Sequence, residues 1–311
     1  MGKDSQKDAG GGTGRSLRFS TAWCWNIEVL QPDPTGEVHR QIIVDGTYFN
    51  GWCVLIAHNG THVIGWQWCD KESKAAWTAL FKRFPAPDVV VTDGGTGLRA
   101  AVDQQWRRTG IQRCYFHIRA AVVRHTTLNP RLPAGQEILG LTRELMAVHD
   151  LDAAAAWMGA YASWEAKWES FLKQRTYAKK GVERPSWAKP NQQWWYTHIR
   201  LRRVQGLYRQ LIRDDSLFTF LDEHYLEGQQ RTVERVTSRL EGGPNSAIKH
   251  LLRHHRGMPD HHARRAVDWL LNSLTEHPHE PWELVQRQQR KAGVSRKESP
   301  AEAGGGRTDR S

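Results

Sequence analysis

From residue 39 onward, apolar positions fall into short runs broken by turn residues, and then into runs at helical spacing. Residues 40–44, RQIIV, form a β-branched strand pattern that ends at Asp45-Gly46. Residues 48–58, YFNGWCVLIAH, and 62–69, HVIGWQWC, flank Asn59-Gly60, a dipeptide that favours a hairpin turn, so a three-stranded antiparallel meander is predicted. In residues 73–84, Ala76, Trp77, Leu80, Phe81 and Phe84 recur at helical spacing until Pro85-Ala86-Pro87 stops them. Residues 88–92, DVVVT, read as a short buried strand ending at Asp93-Gly94-Gly95. A helix over about 96–108 and a last short strand over 111–116 complete the order βββ-α-β-α-β. That order predicts an α/β layer with a mixed sheet. Asp45 and Asp93 then fall just past strand ends, where open α/β sheets carry their sites.

Residues 119–230 are polar and helical in texture, with helices predicted at 138–148, 151–176 and 195–211. Pro185 and Pro190 interrupt a basic, aromatic loop within them. No strand pattern is read there, so an all-helical insertion is expected. Near Asn245 the periodicity returns, with Ile248, Leu251, Leu252 and His255 on one face, and a helix follows at 261–274. The Gly-rich polar start, residues 1–18, and the C-terminal KAGVSRKESPAEAGGGRTDRS are predicted to be disordered. The expected division is an N-terminal remnant at 1–38, a first core part at 39–126, the insertion at 127–230, a final core part at 231–275 and a basic tail at 276–311.

Composition removes several function classes. Hydrophobic residues make up 39% of the 311 and charged residues 25%, enough for a packed core. Apolar runs stay far below the roughly 20 residues of a membrane helix, and the N-terminus lacks a signal-peptide core. A soluble, intracellular protein is expected. Cys24, Cys53, Cys69 and Cys114 are too few and too scattered for a disulfide framework, and no CxxC pair encodes a zinc ribbon. The net charge of +11, from 44 Lys and Arg against 33 Asp and Glu, favours a polyanionic partner. Among the 15 tryptophans, some can stack on unpaired bases and most should pack cores.

Two strand-end Asp-Gly sites in one layer point to metal chemistry. Carboxylates a few ångströms apart repel unless neutralised, and Mg²⁺ or Mn²⁺ takes oxygen ligands while leaving positions for water and phosphate. Two such ions clamp the attacking and leaving oxygens of an in-line displacement. A third carboxylate is then needed late in the chain. Glu234 and Glu241 are the candidates, and periodicity does not choose between them.

In combination, IIVDGTY, KES…W, VVVTDGGTGLRAAV, QRCYFH and TSRLEGGPNSAIKHLLRHHRG resemble the bacterial insertion-sequence transposases of the Mutator-like superfamily, over about residues 37–274. The likeness is greatest to the subgroup with an N-terminal zinc-binding segment. The resemblance implies a ribonuclease-H-like catalytic core with a DDE triad of Asp45, Asp93 and Glu241, all three holding Mg²⁺ or Mn²⁺. It selects Glu241 over Glu234, because the family's glutamate is followed four residues later by Asn, here Asn245. Ser238 stands where an Asn is often found. The family's Cys-x-x-His element corresponds to Cys114 and His117, and His117 is carried forward as a further catalytic candidate. Only 44 residues precede Asp45, and Cys24 is the only cysteine among them, so a truncated front is expected.

The activity so implied is metal-dependent cleavage at the ends of an insertion sequence and strand transfer into target DNA. Its partners would be terminal inverted repeats, target DNA and further copies of the chain on DNA, with no membrane. Its location would be the bacterial cytoplasm, associated with the nucleoid. Candidate DNA contacts are the RHHR cluster, Arg253, His254, His255 and Arg256, together with Arg200, Arg202, Arg203, Trp187, Trp194 and Trp195 of the insertion. The alternatives are a ribonuclease-H-like nuclease that cuts without joining, and an inactive DNA-binding fragment of a transposase.

Overall fold

A computed structural model describes residues 22–226 and 233–297, and the expected disordered end at 1–18 and the segment after 297 lie outside them. Within residues 34–246, the core is a five-stranded mixed sheet in the order β3-β2-β1-β4-β5. The strands are β1 (Gln41–Phe49), β2 (Trp52–His58), β3 (Val63–Cys69), β4 (Val89–Thr92) and β5 (Gly110–Arg113). The meander β1-β2-β3 is antiparallel, as the alternation of turns and apolar runs predicts, and β4 and β5 run parallel to β1. All seven residues of β2 are buried, which its unbroken apolar run requires.

One face of this sheet is covered by α1 (Lys74–Phe81) and α2 (Thr96–Gln105). Ile42, Val44, Leu55 and Val90 meet Trp77, Leu80, Phe81, Leu98 and Trp106 there in one apolar cluster. Ser73 caps α1, its side chain accepting a hydrogen bond from the Ala76 N–H at 3.2 Å. Phe81 stacks on Trp106, with ring centroids 4.0 Å apart.

Three local readings are corrected. First, Asp45 lies inside β1 rather than past its end, because antiparallel pairing with β2 continues to Phe49↔Trp52. The turn that closes this ladder is Asn50-Gly51, with φ of 45° and 81°. Both positive values suit the primed hairpin turn that Asn-Gly favours. Second, the strand expected at 111–116 stops at Arg113, and α3 (Tyr115–Thr126) begins two residues later. Third, the insertion is not all helical. Its long helices are α4 (Pro133–Glu144), α5 (Leu151–Leu172) and α6 (Ile199–Arg213), but β6 (Arg175–Tyr177) pairs antiparallel with β7 (Trp194–Tyr196) between the last two. Arg175 lies 4.0 Å above the Trp194 ring, and the Thr176 and Thr197 hydroxyls are 2.8 Å apart. Such cross-strand pairs stabilise a ribbon too short to show a period-two pattern.

Residues 34–246 form one compact unit, and the described residues before 34 and from Ala247 onward form a second. In this second unit Trp23 stacks on Trp282 at 5.2 Å and Trp25 on His262 at 4.6 Å. The Trp269 indole N–H donates to the Cys24 carbonyl at 3.1 Å. The stretch read as a polar tail contains a helix, Pro281–Lys297, and Trp282 is what ties its start to the unit. Among the described residues, no helix is long and apolar enough to cross a membrane.

Replacing Phe81, which is fully buried among Trp77 and Trp106, should test the sheet–helix core. Phe81→Ala is expected to lower the unfolding free energy by about 3–5 kcal/mol. The measurement is urea denaturation followed by circular dichroism.

Candidate active site

The sheet register alone brings two aspartates together. Ile43 pairs with Val91 in the parallel β1–β4 ladder, and Asp45 and Asp93 each lie two residues further on. Equal offsets on neighbouring parallel strands put both side chains level and on the same face. Asp45 Oδ1 accepts from the Gly46 N–H at 3.0 Å, and Asp93 Oδ1 accepts from the Gly95 N–H at 3.1 Å. Gly94, at φ 88°, makes the turn after β4 and leaves room for the Arg113 guanidinium, which a Cβ there would meet at 1.8 Å. The positive charge of Arg113 consequently acts on Asp93.

A carboxylate that no sequence argument selected sits between these two. Glu72 lies against Gly46, where an added Cβ would fall 2.5 Å from its Oε1, and within 4.0 Å of a Cβ at Gly95. The Glu72 N–H donates to the Tyr48 hydroxyl at 3.1 Å, and the same Tyr48 side chain bonds the Glu72 carboxylate. Burial, then the charges of Asp93 and Asp45, push the Glu72 carboxyl up to about 7. Burial and the charge of Asp93 push Asp45 up to about 6, despite opposing effects of His117 and the Gly46 N–H. The signal available beforehand was KES just ahead of an amphipathic helix, and it was read only as part of a family likeness.

Glu241 closes a second half of the site from a short helix, Ser238–Glu241. Its Oε1 accepts a 2.6 Å hydrogen bond from the Thr237 hydroxyl and lies 3.6 Å from His117 Nδ1. Its charge also reaches Asp45. Cys114, fully buried just after β5, accepts the Thr237 N–H on its Sγ at 3.3 Å and bonds the His117 ring. Burial alone would raise the Cys114 thiol, but these bonds bring it below its ordinary value. His117 rises to about 9, chiefly through the bond to Cys114 and against the effect of burial. Cys114, His117 and Glu241 thus hold their ligand atoms within 4.8 Å of one another. The Thr237 hydroxyl and His117 together fix the position of the Glu241 carboxylate. Asn245 completes the link between the halves, its Nδ2 donating to Asp45 Oδ2 at 2.7 Å.

Glu234, the rejected candidate, pairs with Arg239 at 3.3 Å, and its N–H donates to the Gln41 side chain. Of the expected DNA contacts in the insertion, Trp187, Trp195 and Arg200 line one cavity. Arg202 lies 3.7 Å over the Tyr196 ring and donates to the Leu172 carbonyl. Trp194 is covered by Arg175, and Trp195 is buried. Arg200 is exposed although one of its nitrogens donates to the Arg124 carbonyl, and Arg203 is exposed. Arg253, His254, His255 and Arg256 are exposed at and beyond the end of the helix Pro244–His254, in the second unit.

The donor set suits a hard divalent cation. Asp45 and Glu72 are held above the ordinary carboxylate range by burial and like charge, and Asp45, Asp93, Glu72 and Glu241 offer only oxygen. Asn245 Oδ1 is buried without a hydrogen-bond partner beside them.

These shifts give a signed pH dependence. Native Asp45 and Glu72 keep their protons up to about pH 6 and 7, whereas the unfolded chain releases them near pH 4. The native state therefore binds more protons, and stability falls as pH rises from about 4 to 7. The His117 contribution is complete below about pH 6.5 and is lost as pH climbs through about 9, so it adds to the same trend. In chelator at pH 8, Glu72→Gln should stabilise the protein by about 1 kcal/mol, after discounting for solvent screening. Thermal melts of both proteins at pH 5 and pH 8 would measure it, and a variant that melts below wild type at pH 8 would contradict the reading.

Residues 51–183 match the family described as Transposase, Mutator family. That span contains Glu72, Asp93, Cys114 and His117, while Asp45 and Glu241 fall outside it. No curated protein matches the chain. Over that span the chain is similar to transposases of the Mutator family.

Proposed function

We propose that this chain carries the catalytic core of a DNA transposase of DDE type, acting on the ends of an insertion sequence and joining them to target DNA. The observation that carries this reading is the level placement of Asp45 and Asp93 by the Ile43↔Val91 register, with the charge of Glu241 reaching Asp45 and Asn245 bound to Asp45. The strand order 3-2-1-4-5, antiparallel then parallel, supports a ribonuclease-H-like core, and the insertion falls between β5 and Glu241.

Asp45, Asp93 and Glu241 would hold Mg²⁺ or Mn²⁺. When bound, the cations neutralise phosphate charge and activate water, then a 3′-hydroxyl, for in-line displacement. Asn245 fixes the rotamer of Asp45 by its 2.7 Å bond. Thr237 and His117 hold Glu241 from two sides, and Cys114 in turn holds His117. Arg113 offsets charge on Asp93, and its charge also acts on Cys114. Phosphodiester exchange needs little covalent participation by the protein, so this fixed charge geometry carries most of the rate.

The test is Mn²⁺- or Mg²⁺-dependent cleavage and joining of a labelled duplex carrying the DNA that flanks this reading frame on both sides. Wild type should cut and join, and Asp93→Asn should lower both by at least about a thousandfold. Cutting without joining would favour a nuclease, and binding without either reaction would favour an inactive fragment. Asn245→Ala should lower the rate by about 10–100-fold, the usual effect of removing a group that orients a metal ligand. Parallel titration with Mn²⁺ should show weaker metal binding by this variant.

A further inference from the structure

A cavity of about 530 Å³ lies in the insertion, and none of the site's carboxylates lines it. It is formed where the loop after α3, the start of α4, the β6–β7 connection and the start of α6 meet. Its wall carries Trp187 and Trp195, His125 and His198, and Arg131 and Arg200, and no Asp or Glu lines it. Trp195 is 5% exposed and Trp187 is 47% exposed, so one ring is built into the wall and the other is left uncovered. His198 is fixed, stacked on Phe171 at 3.7 Å and bonded to Gln174 at 3.1 Å. The local field is positive: besides burial, Arg203, Arg200 and Arg124 all lower the His125 imidazole below its ordinary value.

We infer that this cavity receives a single unpaired nucleotide of the DNA substrate, its base against Trp187 and its phosphate between Arg131 and Arg200. A concave site with aromatic walls takes a flat π-face, and an acid-free cationic rim takes an anion; a nucleotide supplies both in one molecule. A paired base cannot enter, since duplex stacking keeps both of its faces covered, so the base must be extruded or already unpaired. An aliphatic ligand would leave the arginines unanswered, and an acidic peptide would leave the exposed indole so.

The inference rests on the transposase reading only for the source of the nucleotide, and its test involves no chemistry. Fluorescence anisotropy in chelator would compare a labelled duplex carrying one unpaired nucleotide with its fully paired counterpart. Wild type should prefer the first by about tenfold, on the scale of one base–aromatic stack. Trp187→Ala should bring that ratio near one, while Trp187→Phe should retain it. Trp282→Ala, which removes an exposed indole from the other unit, should leave the ratio unchanged. Equal affinity of wild type for both duplexes would overturn the inference, and so would an unchanged ratio in Trp187→Ala. Displacement of the bulged duplex by an equal concentration of free nucleoside monophosphate would overturn the assignment to DNA. If the preference is lost while metal-dependent joining persists, the cavity reading alone fails; if the preference persists without any cutting or joining, the catalytic reading alone fails.

Discussion

A parallel ladder that places two aspartates level with each other imposes a cost that the rest of the site is arranged around. Backbone hydrogen bonds between β1 and β4 determine the pairing of Ile43 with Val91, and Asp45 and Asp93 follow that pair at equal offsets. Their flanks are Gly46 and the Gly94-Gly95 pair, which keep side chains out and let Glu72 and Arg113 approach. Adding Glu72 raises the negative charge further instead of relieving it. Burial and like charge consequently raise the Asp45 and Glu72 carboxyls above the ordinary range.

The opposite half answers this with positive charge at a distance. Cys114 follows β5 directly, and its backbone N–H donates to the Thr92 carbonyl at 2.8 Å, so it lies beside the strand that delivers Asp93. One turn on, His117 faces both Cys114 and Glu241. The thiol is thus more than a packing residue, because its bond to the ring is the largest influence that keeps His117 protonated. Glu241 could otherwise swing freely at a helix end about two-fifths exposed. Thr237 holds both members of this arrangement, donating its N–H to Cys114 and its hydroxyl to Glu241. A chain segment more than 100 residues distant is thereby pinned to the end of β5.

The sheet was legible because its signals are local. Short β-branched runs, Asn-Gly turns and a helix between Ser73 and the Pro85-Ala86-Pro87 stop all act over a few residues. Asn50-Gly51 carries the same turn signal as Asn59-Gly60, and the ladder that it closes runs to Phe49↔Trp52. Asp45 therefore lies inside β1. Asp45 and Asp93 were legible as strand-associated Asp-Gly sites, but their equal register belongs to the pairing and not to either segment. Glu241 was chosen over Glu234 by resemblance alone, and the Asn245–Asp45 bond gives that choice a physical counterpart. Glu72 was missed because no local rule separates a helix-entry glutamate in solvent from one folded back over Gly46. The β6–β7 ribbon was missed because three residues are too few to establish a period.

Charge and aromatic content proved poor guides to individual contacts. A net charge of +11 describes the far field that draws a polyanion, yet several of the residues it suggested are spent internally. Arg202 and Arg175 cover aromatic rings of the β6–β7 ribbon, and Trp195 fills a wall. A guanidinium on a ring satisfies both groups and leaves less of each for DNA. What distinguishes Trp187 is that it has the exposure those residues lack, beside arginines with no acidic partner in the same cavity. Residue type therefore narrowed the search to the insertion, and only the pattern of groups left unsatisfied after folding separated a surface built to bind from one built to hold itself together.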